Sequence, residues 1–247
     1  MTAKEPEELA GTAGEEPAPG PEKVNTPGGR RTLDRLVILR EAVRFIDAYG
    51  RDRLTMRRLG AELGVEAMAL YRYVPGREQL LDGVVETVMD ELYNNTMLDD
   101  YALTWQEYLQ KMAHGVQAIA IEHPKIFPLV ASRPPAAPWL RPPLRSLRWV
   151  EAFLEGLTHY GFDKESNVVI YRSFSTFLLG HLLLQVATSG NEPSVSAEDD
   201  IEFFESNDLN NYPLMMELSG ELSQDTYGNE FEDSLEDLIN RIQTLLH

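Results

Sequence analysis

The chain has 247 residues, no cysteine, 43% hydrophobic residues and a formal net charge of −18. The lack of cysteine excludes disulfide scaffolds, thiolate metal sites and cysteine nucleophiles, and it fits a reducing compartment, so we expect a cytoplasmic protein. The longest apolar stretch, Phe174 to Ala187, is short and interrupted by polar residues. It therefore predicts a buried helix and no membrane partner.

The net charge is unevenly distributed along the chain. Residues 30–78 contain eleven arginines and seven acidic residues, whereas residues 192–247 contain one arginine and fifteen acidic residues. A local positive field decides whether a surface attracts phosphates, so the basic segment is the candidate for nucleic-acid binding.

Residues 1–29 predict a disordered tail, because five prolines, five glycines and six acids leave almost nothing to bury. Arg30 and Arg31 follow at the start of the ordered chain. These two arginines could enter a DNA minor groove.

From Thr32 the apolar residues recur with a helical period. Ile38, Ala42 and Ile46 define one face of a first helix, which Gly50 should end. Thr55 is a good N-cap for a second helix, and a very short third helix should follow over 65–73. Pro75 fits the first turn of a fourth helix that runs to about residue 94.

The same period predicts further helices at about 104–122, 124–131, 144–160, 163–188 and 229–246. Five prolines make residues 132–143 a loop, and the acidic stretch 190–226 predicts a loop with one or two short helices. No β-rich run and no internal repeat is visible, so the sequence predicts an all-α fold.

The segment from Leu54 to Val74 has the form of a helix-turn-helix. Leu59, Leu63 and Leu70 would pack its helices together, and Gly64 would supply the bend. A short helix that carries basic and aromatic groups on its outer side can enter a DNA major groove. The outward-facing candidates are Thr55, Arg57, Arg58, Ala67, Met68, Tyr71, Arg72 and Tyr73.

Residues 34–80 closely resemble the DNA-binding domain of the TetR family of bacterial transcriptional repressors, through "LTMRRLGAELGV", "ALYRYV" and "REQLLDGVV". A weaker likeness to the regulatory domain of tetracycline repressors runs through "WQEYL", "SRP", "YGF" and "FLLG". The resemblance implies a helix-turn-helix domain over 30–78, a larger helical domain for ligand binding and dimerisation over 79–247, and double-stranded operator DNA as partner.

The chemistry of each side chain suggests its role on DNA. Arg57 occupies a position where tetracycline repressors read guanine with an arginine, and Arg72 replaces a tryptophan of the recognition helix. Small or apolar side chains could touch thymine methyl groups, namely Ala67, Met68 and Ala69. Phosphate contacts suit Thr55, Arg58, Tyr71, Tyr73 and Arg77.

A single recognition helix contacts little DNA, so we expect a homodimer on a palindrome. The predicted helix 163–188 is apolar on nearly every side, so one face should pack on its own domain and another on a partner. The resemblance agrees, because TetR-family dimers join two such helices from each subunit.

The middle helices could enclose a small-molecule effector. Where tetracycline repressors hold drug and magnesium, this sequence has a more apolar set, with Leu129 at the metal histidine's position; the set is Tyr93, Met112, Leu129, Ser132 and Phe153. The resemblance therefore implies no metal and no cofactor, and a hydrophobic or aromatic ligand. The candidate lining residues, each of which could equally be core, are Tyr93, Met112, Val116, Phe127, Trp149, Phe153, Tyr171, Phe174 and His181.

Three other interpretations remain open at this point. The five histidines show no metal-binding spacing and no nucleophile motif is present, which disfavours an enzyme with catalytic residues. A DNA-binding regulator without a small-molecule switch, controlled by a protein partner, is the main alternative. An acidic interaction protein that binds no nucleic acid is the second.

Overall fold

The computed structural model describes residues 23–26, 29–96, 104–133, 140, 146–189, 211–224 and 226–245. The predicted all-α fold is confirmed, with eleven α-helices in this described part of the chain. The helices are α1 Arg35–Tyr49, α2 Met56–Leu63, α3 Ala67–Leu70, α4 Arg77–Thr96, α5 Trp105–Glu122, α6 Phe127–Ser132, α7 Leu147–His159, α8 Lys164–Ser189, α9 Pro213–Glu217, α10 Ser219–Leu222 and α11 Tyr227–Gln243.

One feature is not helical: an antiparallel hairpin of β1 (Lys23–Thr26) and β2 (Gly29–Thr32). Its register pairs Val24 with Arg31 and Thr26 with Gly29. Lys23–Thr26 and Gly29 of this hairpin lie within the tail predicted to be disordered over 1–29, and the other residues of that tail lie outside the described chain. The sequence signal was Pro27-Gly28, a typical turn pair between two short segments, and β1 lies beside α2.

Helices α1 to α3 form a small helical unit, which we call the head. Asp34 caps α1, because its Oδ1 accepts from the Val37 amide at 2.8 Å, and Gly50 ends the helix with a φ of 84°. The side chains of Ile38, Ile46 and Leu59 are fully buried. They meet as the periodicity predicted, so burial of this apolar face holds the head together.

Helix α4 connects the head to the rest of the molecule, because it packs against α1 on one side and against α5, α6 and α7 on the other. It begins at Arg77, not at the predicted Pro75, and the Leu80 amide donates to the Gly76 carbonyl at 2.9 Å. The predicted domain boundary after residue 78 thus falls in the first turn of a continuous helix.

Helices α5 to α11 form a second unit, which we call the body. Thr104 and Glu107 cap α5 reciprocally, with the Thr104 Oγ1 accepting from the Glu107 amide at 3.3 Å. Helix α8 is central and packs on α5, α6, α7 and α11. By length and composition, Lys164–Thr188 is the one described helix that could cross a membrane, with a mean hydropathy of 1.2. The face of this helix that packs on the other helices is buried, whereas Val168, Val169 and Leu184 are exposed.

The acidic stretch 190–226 contains two short helices, α9 and α10, as predicted, within its described residues 211–224 and 226. Every described residue from 211 to 224 is exposed, including the large apolar side chains of Leu214 and Leu222. The segment therefore adds nothing to the core of its own chain.

Candidate nucleic-acid interface and candidate ligand site

The start of α2 places Arg57 at the surface. Thr55 is the N-cap, in extended conformation, and its Oγ1 accepts from the Arg58 amide at 3.2 Å. This bond satisfies one of the free amides at the helix start. Arg57 and Arg58 lie in the first turn with exposed side chains, and Arg58 donates from Nη1 to the Arg53 carbonyl at 3.2 Å.

Two glycines set the angle between α2 and α3. Gly64 ends α2 in the left-handed region with a φ of 69°, as the predicted bend requires. Gly60 is the point of closest approach, since a Cβ there would lie 2.8 Å from the Val65 carbonyl oxygen. Sequence reasoning missed Gly60, although a glycine inside a short helical pattern often marks close packing.

Helix α3 buries one side and exposes the other. Leu70 is fully buried, whereas Met68 is 70% and Tyr71 is 43% exposed. Arg72 is also exposed, and Ala67 and Tyr73 are half-buried. The expected thymine contact through Ala69 is wrong, because Ala69 is 5% exposed and belongs to the core.

Arg77, like Arg58, has a guanidinium that is already engaged by the backbone, in this case at two carbonyls. Its Nε donates to the Leu54 carbonyl at 3.3 Å and its Nη2 to the Arg51 carbonyl at 3.2 Å. The residue therefore connects the 3-10 turn Arg51–Arg53 to the start of α4. Its phosphate contact stays a prediction beside this structural role.

Seven of the nine candidate ligand residues are buried in the apolar core of the body, and four of them form one aromatic cluster. Phe153 is at its centre, with ring centres 5.3 Å from Trp149, 5.0 Å from Phe174 and 6.2 Å from Tyr171. The buried members of the predicted set are Met112, Val116, Phe127, Trp149, Phe153, Tyr171 and Phe174. The rings of Trp149, Tyr171 and Phe174 pack around Phe153, which is what a filled core does.

The aromatic cluster also contains two polar groups, the indole N–H of Trp149 and the hydroxyl of Tyr171. The Trp149 Nε1 is buried and has no hydrogen-bond partner within the described structure. Burial raises the pKa of the Tyr171 hydroxyl to about 12, with a smaller opposing effect from Ser175. An unpaired buried donor costs about 1–3 kcal/mol, so the indole N–H is a ready contact for an incoming acceptor.

The other two candidates lie elsewhere. Tyr93 is half-buried beneath the Arg148 guanidinium, whose central carbon lies 4.4 Å from the ring centre, and it lines an open groove of about 400 Å³ with Glu151 and Glu155. His181 joins a second aromatic cluster, 5.3 Å from the Phe231 ring centre. The structure thus does not bring all nine residues to one place.

Within the described residues, no group of three or more His, Asp or Glu side chains could hold a metal ion. Leu129, at the position of the metal ligand in tetracycline repressors, is buried in the core. The donor set that a metal requires is thus not found in this part of the chain.

Comparisons with known proteins extend over both units. A family model described as bacterial regulatory proteins, tetR family, matches residues 38–84, and one described as tetracyclin repressor-like, C-terminal domain, matches residues 99–246. The HTH-type transcriptional repressor DrrR1 of Streptomyces coeruleorubidus is 30% identical over 233 residues, which cover 91% of this chain and 78% of that protein. The class E tetracycline repressor of Escherichia coli is 26% identical, covering 65% and 71%.

Solved structures share the fold. The Streptomyces coelicolor TetR family protein ActR, in complex with actinorhodin, has a TM-score of 0.68 and 24% identity, covering 87% of this chain and 99% of that one. TetR from Acinetobacter baumannii has a TM-score of 0.63 and 21% identity, covering 87% and 100%. The chain belongs to the TetR family of bacterial transcriptional regulators, which are DNA-binding, non-enzymatic proteins.

Proposed function

We propose that the protein is a ligand-responsive repressor that binds a palindromic operator as a homodimer and leaves it when a hydrophobic or aromatic molecule binds. The observation that carries this proposal is the exposed surface of α2 and α3. There the side chains of Arg57, Met68, Tyr71 and Arg72 are exposed on α2, α3 and the turn that follows α3. We call these four residues the reading surface.

The chemistry of the reading surface suits a major groove. An arginine can donate two parallel bonds to guanine O6 and N7, which supports Arg57 as a base reader. Met68 offers an apolar contact for a thymine methyl, and Tyr71 a phenol for a phosphate. Because the rest of the chain is strongly acidic, this basic surface also orients the protein on the polyanion.

The dimer rests on the apolar residues that α8 leaves uncovered. Val168 and Val169 are about half exposed and Leu184 is 63% exposed. A helix that is apolar on nearly every side needs cover on each face. A second copy of the chain would supply it, and the symmetric pair would present two reading surfaces to two half-sites.

The aromatic core supports a ligand with an aromatic body and a hydrogen-bond acceptor. Among proteins of the same fold, ActR forms a complex with actinorhodin, and a TetR variant from Acinetobacter baumannii forms one with minocycline. In this chain the unpaired Trp149 Nε1 would meet the acceptor while Phe153 and Phe174 stack on the rings. A ligand that binds better to one spacing of the two heads would shift the dimer away from its operator.

DNA binding is tested by fluorescence anisotropy with selected operator fragments over a salt series. We expect affinity to fall steeply with salt through counterion release. Arg57→Ala should cost about 1–3 kcal/mol and relax one base position. The matched control is Arg44→Ala, an exposed arginine of α1 that pairs with Glu41 at 3.2 Å. Salt-insensitive binding, or equal losses in both variants, would contradict the DNA reader and favour the acidic interaction protein.

The ligand is tested by native mass spectrometry of protein purified from its source, which reports stoichiometry and any retained compound together. The compound should release operator DNA in the anisotropy assay and quench tryptophan fluorescence less in Trp149→Phe. If no compound is retained and no aromatic candidate releases DNA, the filled core points to control by a protein partner instead.

A further inference from the structure

We propose that His123 and Lys125 are positioning residues that fasten the end of α1 to the body and so fix the orientation of the head. This inference rests on the proposed function, because head orientation matters through the spacing of two heads on an operator. We call the contacts of His123 and Lys125 with Asp47 and Ala48 the latch.

The latch joins two parts of the chain that are far apart in sequence. The His123 Nδ1 lies 2.8 Å from the Asp47 Oδ2, and Lys125 donates from Nζ to the carbonyls of Asp47 and Ala48 at 2.8 and 3.1 Å. These carbonyls belong to the last turn of α1, where backbone acceptors are free and the helix dipole favours a cation. Lys125 thus caps the end of α1 from the body, while His123 binds the side chain of Asp47 in the same turn.

The side chains of His123 and Asp47 in the latch are largely shielded from solvent. The His123 side chain is 11% exposed and that of Asp47 is 30% exposed. The second carboxylate oxygen of Asp47, Oδ1, is buried without a hydrogen-bond partner in the described structure. The half-buried carboxylate therefore depends on His123, since Lys125 uses only backbone oxygens.

The latch is connected to the candidate ligand core through the backbone. The His123 carbonyl accepts from the amides of Ile126 and Phe127, both at 2.9 Å. Phe127 is fully buried in the continuous apolar core that also contains Trp149 and Phe153. A ligand that displaces Phe127 would shift the backbone at His123, the residue that binds the Asp47 carboxylate. The latch therefore offers a short physical route from the core to the head.

The latch also depends on protonation. The hydrogen bond with Asp47 raises the pKa of His123 above its ordinary value of 6.5; burial opposes this effect, and the charges of Asp47, Glu122 and Glu91 add to it. Glu122 is the exposed neighbour on α5, with Oε1 4.0 Å from Nε2, and Glu91 faces from α4. The latch is thus tightest below the ordinary pKa and weakens as the pH rises through the raised one. Neutral imidazole keeps one N–H donor, so the contact loosens without vanishing.

Head orientation can be measured without DNA. The chain has no cysteine, so spin labels can be attached at Glu62→Cys in the head and at Glu155→Cys in the body. Electron paramagnetic resonance then reports the distance between the two labels. Unlabelled protein is added so that few dimers carry labels on both subunits. We expect a narrow distribution at about pH 6 that broadens at about pH 8.5, and a broad one at both values in His123→Gln and Asp47→Asn. Glu236→Gln, which removes an exposed carboxylate of α11 outside the latch, is the matched control and should leave the width unchanged. Equal widths in all variants and at both pH values would overturn the latch.

The consequence for DNA is tested with operators whose half-site spacing is varied. The parent protein should bind one half-site spacing more tightly than the others. In His123→Gln and Asp47→Asn, the ratio of the affinities for the preferred and the altered spacing should fall toward 1. Arg57→Ala should instead lose affinity at every spacing. Spacing preference that survives in both latch variants would contradict the inference alone, whereas failure of every variant and the parent to bind DNA would contradict the proposed function and leave the spin-label result to decide the latch.

Discussion

A Cβ atom added to Gly60 would lie 2.8 Å from the carbonyl oxygen of Val65, and the Val65 amide in turn donates to the Gly60 carbonyl at 2.9 Å. These two residues therefore fix how closely α3 approaches α2. The reading surface depends on this approach, because Met68 lies on α3 and Tyr71 in the turn that follows it.

Gly60→Ala should consequently disturb the helix-turn-helix more than the addition of a single methyl group suggests. We expect a loss of about 1–3 kcal/mol in the free energy of unfolding, from overpacking against backbone that cannot rotate away, and weaker operator binding. Urea denaturation and anisotropy measure the two effects. Gly220→Ala is the control, because nothing lies within 4 Å of a Cβ there, and equal effects of both substitutions would contradict the close approach.

Arg77→Ala should lower both stability and DNA affinity. The substitution removes the hydrogen bonds to the carbonyls of Leu54 and Arg51, which hold the turn before α2 in place. Each lost bond should lower the free energy of unfolding by about 0.5–1.5 kcal/mol. Binding should weaken about equally on all operator sequences, as expected for a residue that positions the head and contacts phosphate. Urea denaturation and anisotropy on several operator sequences check the two losses.

Arg77→Lys separates these two contributions. Lysine keeps the positive charge but lacks the fork that reaches two carbonyls. Relative to Arg77→Ala, we expect lysine to restore the salt-dependent DNA affinity more fully than the free energy of unfolding. If lysine restored both, the charge of Arg77 alone, and not its two hydrogen bonds, would explain its role.

Arg133→Met should destabilise the junction between α6 and α4. The Arg133 side chain is 13% exposed, and its guanidinium binds Asp82 at 2.7 Å and Glu78 at 2.9 Å. The Asp82 side chain is 24% and the Glu78 side chain 67% exposed, so the substitution should cost about 1.5–3 kcal/mol, mainly through the lost hydrogen bond with Asp82. The exposed pair of Arg35 with Glu86, at 3.3 Å, is the comparison, since Arg35→Met should cost less than about 1 kcal/mol. Urea denaturation of both variants checks this order.

Stability should depend on pH through His123. Asp47 raises its pKa on folding, so the protonated form is favoured in the native state. The resulting stabilisation is fully present below the ordinary histidine pKa and is lost as the pH rises through the raised value. Urea denaturation at a series of pH values should show this decline in the parent protein. Asp47→Asn should flatten it, and an unchanged slope in that variant would assign the effect to another group.

Local chemistry made the helix boundaries and the reading surface predictable. Thr55 and Gly64 act through hydrogen bonds and dihedral angles that involve their immediate neighbours, so the sequence predicts their roles as cap and bend. Gly60 was missed because its constraint is a contact across the turn. Ala69 was misplaced because a four-residue helix has too few residues to define a face.

The ligand site was less predictable for a different reason. Buried aromatic residues have the same composition whether they line a cavity or fill a core. The sequence grouped Trp149, Phe153 and Phe174 correctly, but the stacking of their rings and the unpaired indole N–H depend on side-chain packing. Tyr93 and His181 share that composition and lie in other places.

The helical fold, the helix-turn-helix of the basic segment and the side chains that this motif presents outward all follow from residues within a few turns of one another, so they can be read from the amino-acid order alone. The way the head is held cannot. Asp47 and His123 meet across 76 positions of sequence, and Arg133 meets Glu78 across 55. Such pairings depend on how whole helices pack, which no local spacing of residues specifies.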